Sequence, residues 1–199
     1  QYPFVKKMFN YVNNQSPDHI IFMGDVIDWY SPENIDFALE LMSELKAPWS
    51  ITPGNHDYQL PVRHRPKHND GKFHEWADFD QYVCKAKATE YWNQKNIYFT
   101  HKKIDLGNTA IYLVDSALGF VPEEQENWLA NENLNHKHHI LATHVPIQHK
   151  TMKKIVAKNK DTANIAEYVQ SNSPQFYDRC IKDKFQHVMM GHVHFPSTT

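Results

Sequence analysis

The sequence predicts an α/β fold built on parallel strands, and three observations carry that expectation. Residues 19–52 read as strand, helix, strand, the succession that returns a chain to a parallel neighbour. Four apolar segments each run into a short cluster of Asp, Asn or His, three of them carrying a glycine. A length of 199 residues with 41% hydrophobic content lets one domain bury a full core without disulfide staples.

The elements follow in order. Phe4, Val5, Met8, Phe9 and Val12 recur at helical spacing, giving an amphipathic helix that ends before Ser16-Pro17. His19-Ile20-Ile21-Phe22-Met23 reads as a buried strand that stops at Gly24-Asp25. Ser31 caps the next helix, with Pro32 at its first position and Glu33 in its first turn. Ile35, Ala38, Leu39, Met42 and Leu45 line its core face, and Pro48 prevents its continuation. The second strand, 49–52, leads into Pro53-Gly54-Asn55-His56-Asp57.

Residues 59–95 are polar, rich in Arg, Lys and His at first and helical in places near Tyr82 and Tyr91, and predict an insertion or mobile loop. Ile97-Tyr98-Phe99-Thr100 and residues 109–114 predict a hairpin turned at Leu106-Gly107-Asn108. Pro122 opens a helix with Glu123 and Glu124 in its first turn and Trp128-Leu129 on its apolar side. A third buried strand, 140–143, ends at His144. A lysine-rich helical region spans about residues 151–181, and a last strand, 185–190, ends at Gly191-His192-Val193-His194. No repeat or linker marks a boundary, so residues 1–199 are expected to form one domain.

Composition excludes several classes. A net charge of −2 argues against nucleic-acid binding by bulk electrostatics. No apolar run approaches the roughly 20 residues of a membrane span, so a soluble protein is expected, the cytoplasm being favoured. Cys84 and Cys180 read as free thiols. Of the 14 histidines, His136, His138 and His139 around Lys137 read as surface residues, and His101 and His187 as structural ones.

The clusters at the strand ends are where chemistry is expected. Ligands of open α/β sheets bind beyond the carboxyl ends of the strands. Four such ends on one edge would gather Asp25, Asn55, His56, His144, His192 and His194. Imidazoles with a carboxylate suit Zn, Mn, Fe or Ni better than Mg or Ca. Two such ions about 3.5–4 Å apart can share a hydroxide and clamp an in-line displacement at phosphorus. If the segment after the last strand is still extended, His192 and His194 face the same way.

The set Gly24-Asp25-Val26-Ile27-Asp28, Gly54-Asn55-His56-Asp57, Thr143-His144-Val145-Pro146 and Gly191-His192-Val193-His194 resembles the calcineurin-like metallophosphoesterase family in order and spacing. The resemblance implies a four-layer sandwich of two mixed β-sheets flanked by helices. It implies two divalent or trivalent transition-metal ions (Mn, Fe, Zn or Ni), with Asp25 bridging them, Asn55, His144 and His192 completing one site, and His194 on the other. His56 would stabilise the transition state or protonate the leaving oxygen, Asp28 would hold His56 in orientation, and a water or hydroxide on the metals would attack a phosphomonoester or phosphodiester. The substrate implied is a small phosphorylated molecule, with neither nucleic acid nor membrane as partner. Gly-Asn-His-Asp with the Gln125, Trp128 and Leu129 helix is loosely similar to bacterial cyclic-nucleotide phosphodiesterases within the family.

The family's opening Asp-x-His motif is missing here, and Asp18-His19, lying before a strand, is not read as its substitute. The expectation is a chain lacking its first strand and its last strands, with the first metal site incomplete. A natural variant with one degraded site is the alternative, and a metal-binding scaffold without catalysis is the competing function. Arg63-His64-Arg65-Pro66-Lys67-His68 reads as a solvated loop ahead of a phosphate grip, and Trp29 as a cleft wall or a core residue equally.

Overall fold

The computed structural model describes residues 2–60, 78–160, 165, 168–171 and 174–195. The chain divides into two compact units, one of Gln1–Ile51 with Asn55–Tyr98, the other of Thr52–Gly54 with Phe99–Thr199.

The first unit opens with α1 (Tyr2–Gln15), which ends where Ser16 turns to φ 49°. Only one edge of its predicted stripe is covered. Phe9, at that edge, is buried and meets Phe22 edge to face at 6.2 Å, whereas Phe4 and Met8, towards the opposite edge of the apolar arc, are exposed. Asn13, near the helix end, donates to the Glu44 carbonyl and accepts from the Lys46 amide, both at 2.9 Å, tying α1 to the loop before the second strand.

β1 (Ile20–Phe22) pairs in parallel with β2 (Trp49–Ile51), Phe22 opposite Ile51. The predicted βαβ unit is thus present, although β1 is half-buried where a buried strand is expected. Between the strands, α2 (Pro32–Met42) begins as its sequence dictates: Ser31 Oγ accepts from the Asn34 amide at 3.1 Å, satisfying one orphan donor of the first turn. Its buried stripe is Ile35, Ala38, Leu41 and Met42, with Leu41 taking the place foreseen for Leu39, which is only half-buried.

α3 (Asp78–Gln94) occupies much of the stretch expected to be an insertion or loop, while residues 61–77, including Arg63 to His68, lie outside the described residues. Ala88 and Trp92, one turn apart, are wholly buried. The Trp92 indole reaches the Asp57 carbonyl at 3.4 Å, so α3 backs the loop that follows β2.

The second unit holds a four-stranded mixed sheet in the order β3-β4-β5-β6. β3 (Lys102–Leu106) and β4 (Thr109–Leu113) form an antiparallel hairpin, and β5 (His138–Ala142) and β6 (His187–Met189) add in parallel. The turn falls at Gly107-Asn108 as predicted, but the first strand is residues 102–106 and not 97–100. A two-residue loop makes Leu106 and Thr109 direct partners, so the strand must run back from the turn itself. Gly107, at φ +74°, donates to Asp105 Oδ1 at 2.9 Å, while the Ile97 amide is used by the Trp92 carbonyl to close α3.

α4 (Glu123–Asn131) buries Gln125 and Leu129, and α5 (Lys150–Lys160) buries Met152 and Val156 one turn apart. α6 (Pro174–Phe176) continues into a wide helical turn over Tyr177–Ile181. Ala110, Tyr112, Val114, Leu129, Leu141, Phe176 and Cys180 share one core cluster. Burial pushes the Cys180 thiol up to about 11, so this free cysteine stays protonated at neutral pH. The chain is therefore α/β, with two sheets and flanking helices, and no described helix is long and apolar enough to cross a membrane.

Trp92 fills its site completely and holds the loop after β2 from behind. Trp92→Ala should lower the unfolding free energy by about 3–5 kcal/mol, read from urea denaturation followed by circular dichroism.

Candidate metal and catalytic site

In the first unit the parallel pairing puts the carboxyl ends of β1 and β2 on one edge, so the loops after them are neighbours. Their meeting is organised by Asp57, which is fully buried. Its carboxylate accepts the amides of Asp25 (3.0 Å), Val26 (3.0 Å) and Ile27 (3.4 Å). Three successive N–H groups aimed at one anion form a nest, and a charged acceptor makes each bond stronger than a neutral one.

That clamp fixes Asp25 in a left-handed conformation at φ 55°, directly after Gly24 at φ 84°. A side chain bearing a Cβ visits this region at some cost. The return is an aimed carboxylate: Asp25 Oδ1 accepts the His56 amide at 3.0 Å. Each loop therefore holds the other, Asp57 gripping the first and Asp25 the second.

His56 is positioned from two sides. Its Nδ1 lies 2.6 Å from the Asp28 main-chain carbonyl, and Trp29 covers the ring at a centroid distance of 4.8 Å. The Asp28 carboxylate stands 3.6 Å from the same nitrogen and is largely exposed, beyond hydrogen-bond length. A carbonyl only accepts, so Nδ1 carries the proton in this bond and Nε2 is the ring's second, variable position. Asn55 is buried, with Nδ2 3.4 Å from Gln59 Oε1. His19 Nε2 lies 3.1 Å from Ser50 Oγ across the strand pair, a structural place.

In the second unit β4, β5 and β6 run in parallel and end on one edge. His144 follows β5 and is almost fully buried. Its loop is cradled: Ser116 Oγ accepts from the Thr143 hydroxyl at 2.7 Å and from the Val145 amide at 2.8 Å, and Gln170 Nε2 donates to the Val145 carbonyl at 2.7 Å. The Gly191 amide donates to the His144 carbonyl at 2.8 Å, which joins the ends of β5 and β6. The His144 and His192 rings stand perpendicular, 5.2 Å between centroids.

The segment after β6 is not extended. His192 and His194 sit at φ 67° and 57°, so alternation along a strand does not set their directions. His192 is half-buried and His194 exposed, while Val193 and Phe195 pack against Met152, Val156 and Val169. The apolar neighbours anchor the turn, and the histidines ride on it.

Asp57, Ser116 and Gln170 were not assigned roles from the sequence. Val114-Asp115-Ser116 repeats the pattern of an apolar strand running into polar residues, a signal present but without glycine or histidine to mark it. His136 and His139, expected at the surface, are not there: His139 is only 5% exposed, because it takes the first inward position of β5.

Each unit thus carries candidate residues just beyond the carboxyl ends of parallel strands: Asp25, Asn55 and the oriented His56 in the first, His144 and His192 in the second. The chain matches the calcineurin-like phosphoesterase family over residues 1–196 and belongs to that family. Its members are metal-dependent hydrolases of phosphoester bonds. No curated protein matches the chain.

Asp57→Asn would keep one acceptor oxygen and turn an NH2 group towards main-chain donors. The expected loss is about 3 kcal/mol of stability, measured by urea titration. Asp57→Ala should lose at least as much.

Proposed function

We propose that this protein hydrolyses a small phosphomonoester or phosphodiester, using metal ions held by Asp25, Asn55, His144, His192 and His194, with His56 as the proton-handling residue. The observation that carries the reading is the donor set. In the second unit His144 and His192 each follow a parallel strand and supply two imidazoles; in the first, Asp25 follows a parallel strand and supplies a carboxylate, the donor types that a transition-metal ion takes. The perpendicular His144 and His192 rings at 5.2 Å suit two ligands of one ion. Two ions of Mn, Fe, Zn or Ni fit this nitrogen-and-oxygen chemistry. When bound, they would supply Lewis-acid neutralisation of phosphate charge and a more acidic water.

The chain's own groups do the rest. Gln59 Oε1 accepts from the amide nitrogen of Asn55 at 3.4 Å, which orients the side chain whose oxygen would be the cation ligand. Asp25 Oδ1 accepts the His56 amide, a bond that fixes the orientation of the carboxylate proposed as a ligand. His56, with Nδ1–H given to the Asp28 carbonyl, presents Nε2 for the proton that the leaving oxygen needs. Trp29 backs the ring and limits its rotation. The family match runs through both compact units, which supports treating residues 1–199 as one metallophosphoesterase domain.

The test is turnover of p-nitrophenyl phosphate and bis(p-nitrophenyl) phosphate with Mn2+, after chelator treatment and metal return. His56→Ala should lose about 10²–10⁴ in kcat while retaining its metal content by elemental analysis. His144→Ala should lose metal content together with turnover. Metal uptake by the wild type with no turnover above that of the two variants would leave the catalytically silent scaffold as the answer.

Asp28→Asn is expected to keep kcat within about tenfold of the wild type, since the main-chain carbonyl that fixes His56 survives the exchange. A loss as large as that of His56→Ala would show that the carboxylate, not the carbonyl, orients the ring. Full pH profiles of both variants separate the two readings, because a carboxylate partner also raises histidine basicity.

A further inference from the structure

Outside the site described above, three buried side-chain atoms without a hydrogen-bond partner among the described residues fall in one place: Tyr112 Oη, His136 Nδ1 and His139 Nδ1. Tyr112 is wholly buried in β4 and His139 is 5% exposed in β5, where the register brings the two strands together. The His136 and His139 rings stand perpendicular with centroids 6.0 Å apart, and the Tyr112 and His139 rings are 6.1 Å apart. A buried polar atom left unsatisfied is destabilising, and three gathered in one place call for a shared partner.

The far side of His136 says which kind. Its Nε2 lies 3.0 Å from Asp105 Oδ2, and that bond, followed by the one from the Gly107 amide, holds the Asp105 carboxyl below its usual range. An ionised Asp105 accepts the hydrogen bond that Nε2–H donates. A second proton on Nδ1 would be a buried donor without an acceptor, so Nδ1 carries a bare lone pair. A carboxylate behind an imidazole whose other nitrogen points inward is the usual support of a metal-binding histidine.

The local charges agree. Lys103 is 5.5 Å from the Tyr112 ring, but its ammonium is paired with Glu132 at 3.3 Å, so the two offset each other and Asp105 is left as the net charge. Burial raises the Tyr112 hydroxyl above its ordinary value, which keeps it as an O–H donor beside the two imidazoles. A metal–nitrogen bond of about 2.0–2.1 Å puts two imidazole centroids on one ion about 5.2 Å apart at the tetrahedral angle and at most about 6.5 Å in line; the observed 6.0 Å lies between the two, so a tetrahedral ion would draw the rings together by about 0.8 Å.

We propose that His136 Nδ1 and His139 Nδ1 form a binding site for Zn2+ or a similar borderline divalent ion, supported by Asp105 and separate from the phosphoesterase centre. Its shell would be completed by solvent that the Tyr112 hydroxyl orients. Because ion and sheet would bind only in the folded state, the site would act as a staple between β5 and the segment before it. This inference does not depend on the phosphoesterase reading.

The experiment uses chelator-dialysed protein carrying His144→Ala and His192→Ala, titrated with Zn2+ by calorimetry and with Co2+ by visible absorption. About one equivalent of Zn2+ per chain and Co2+ bands of nitrogen ligation are expected. Both should vanish when His136→Ala is added and persist when the exposed His138 is replaced by Ala. Asp105→Asn, at an accessible position, should weaken the binding by about 10–100-fold and gives the answer should His136→Ala fail to fold. No uptake in the parent, or uptake indifferent to both His136→Ala and Asp105→Asn, would overturn the proposal and leave a buried water as the occupant.

Discussion

A buried carboxylate closing on three consecutive amides is the constraint from which the first unit's chemistry follows. Asp57 sits in the loop after β2 yet accepts from Asp25, Val26 and Ile27 in the loop after β1. Parallel pairing brings the two loops near each other, but it does not set their shape. The nest does. It forces Asp25 into its left-handed turn, and Asp25 in turn receives the His56 amide. The charge of Asp57 has no solvent to fall back on, so those three bonds are what make its burial tolerable.

The second unit solves the same problem with neutral groups. Ser116 and Gln170 hold the chain on either side of His144 through hydroxyl and amide bonds, all buried. A histidine placed this way would lose little freedom on taking up the proposed metal, because its backbone is already fixed from several directions. The Gly191 amide on the His144 carbonyl extends that fixity to the turn carrying His192.

Much of this was legible in the sequence, and the reasons are local. Ser31-Pro32-Glu33 states a helix start in three residues, and Gly107-Asn108 states a hairpin turn in two, so both appear where they were expected. That Asp25, His56, His144 and His192 lie shortly after strand ends was legible, because an apolar run precedes each of them. What was not legible depends on long-range partners. The first strand of the hairpin was misplaced because 97–100 is apolar, whereas the strand that forms is Lys102–Leu106, chosen by the turn and not by hydrophobicity. His139 looked like one histidine in a polar run, and only the alternation of β5 shows that it points inward. The carbonyl behind His56 belongs to the backbone, which no side-chain motif can advertise.

Among the described residues, six without glycine's freedom adopt positive φ, and three of them, Asp25, His192 and His194, are proposed metal ligands. Glycine would sit in these turns more comfortably than aspartate or histidine does. Backbone comfort and ligation therefore pull in opposite directions at the same three positions. A protein evolving under pressure for thermal endurance alone would drift towards glycine there, becoming hardier as its donors disappeared. The awkward geometry is in that sense a signature of use: it survives only while something rewards the side chains it carries.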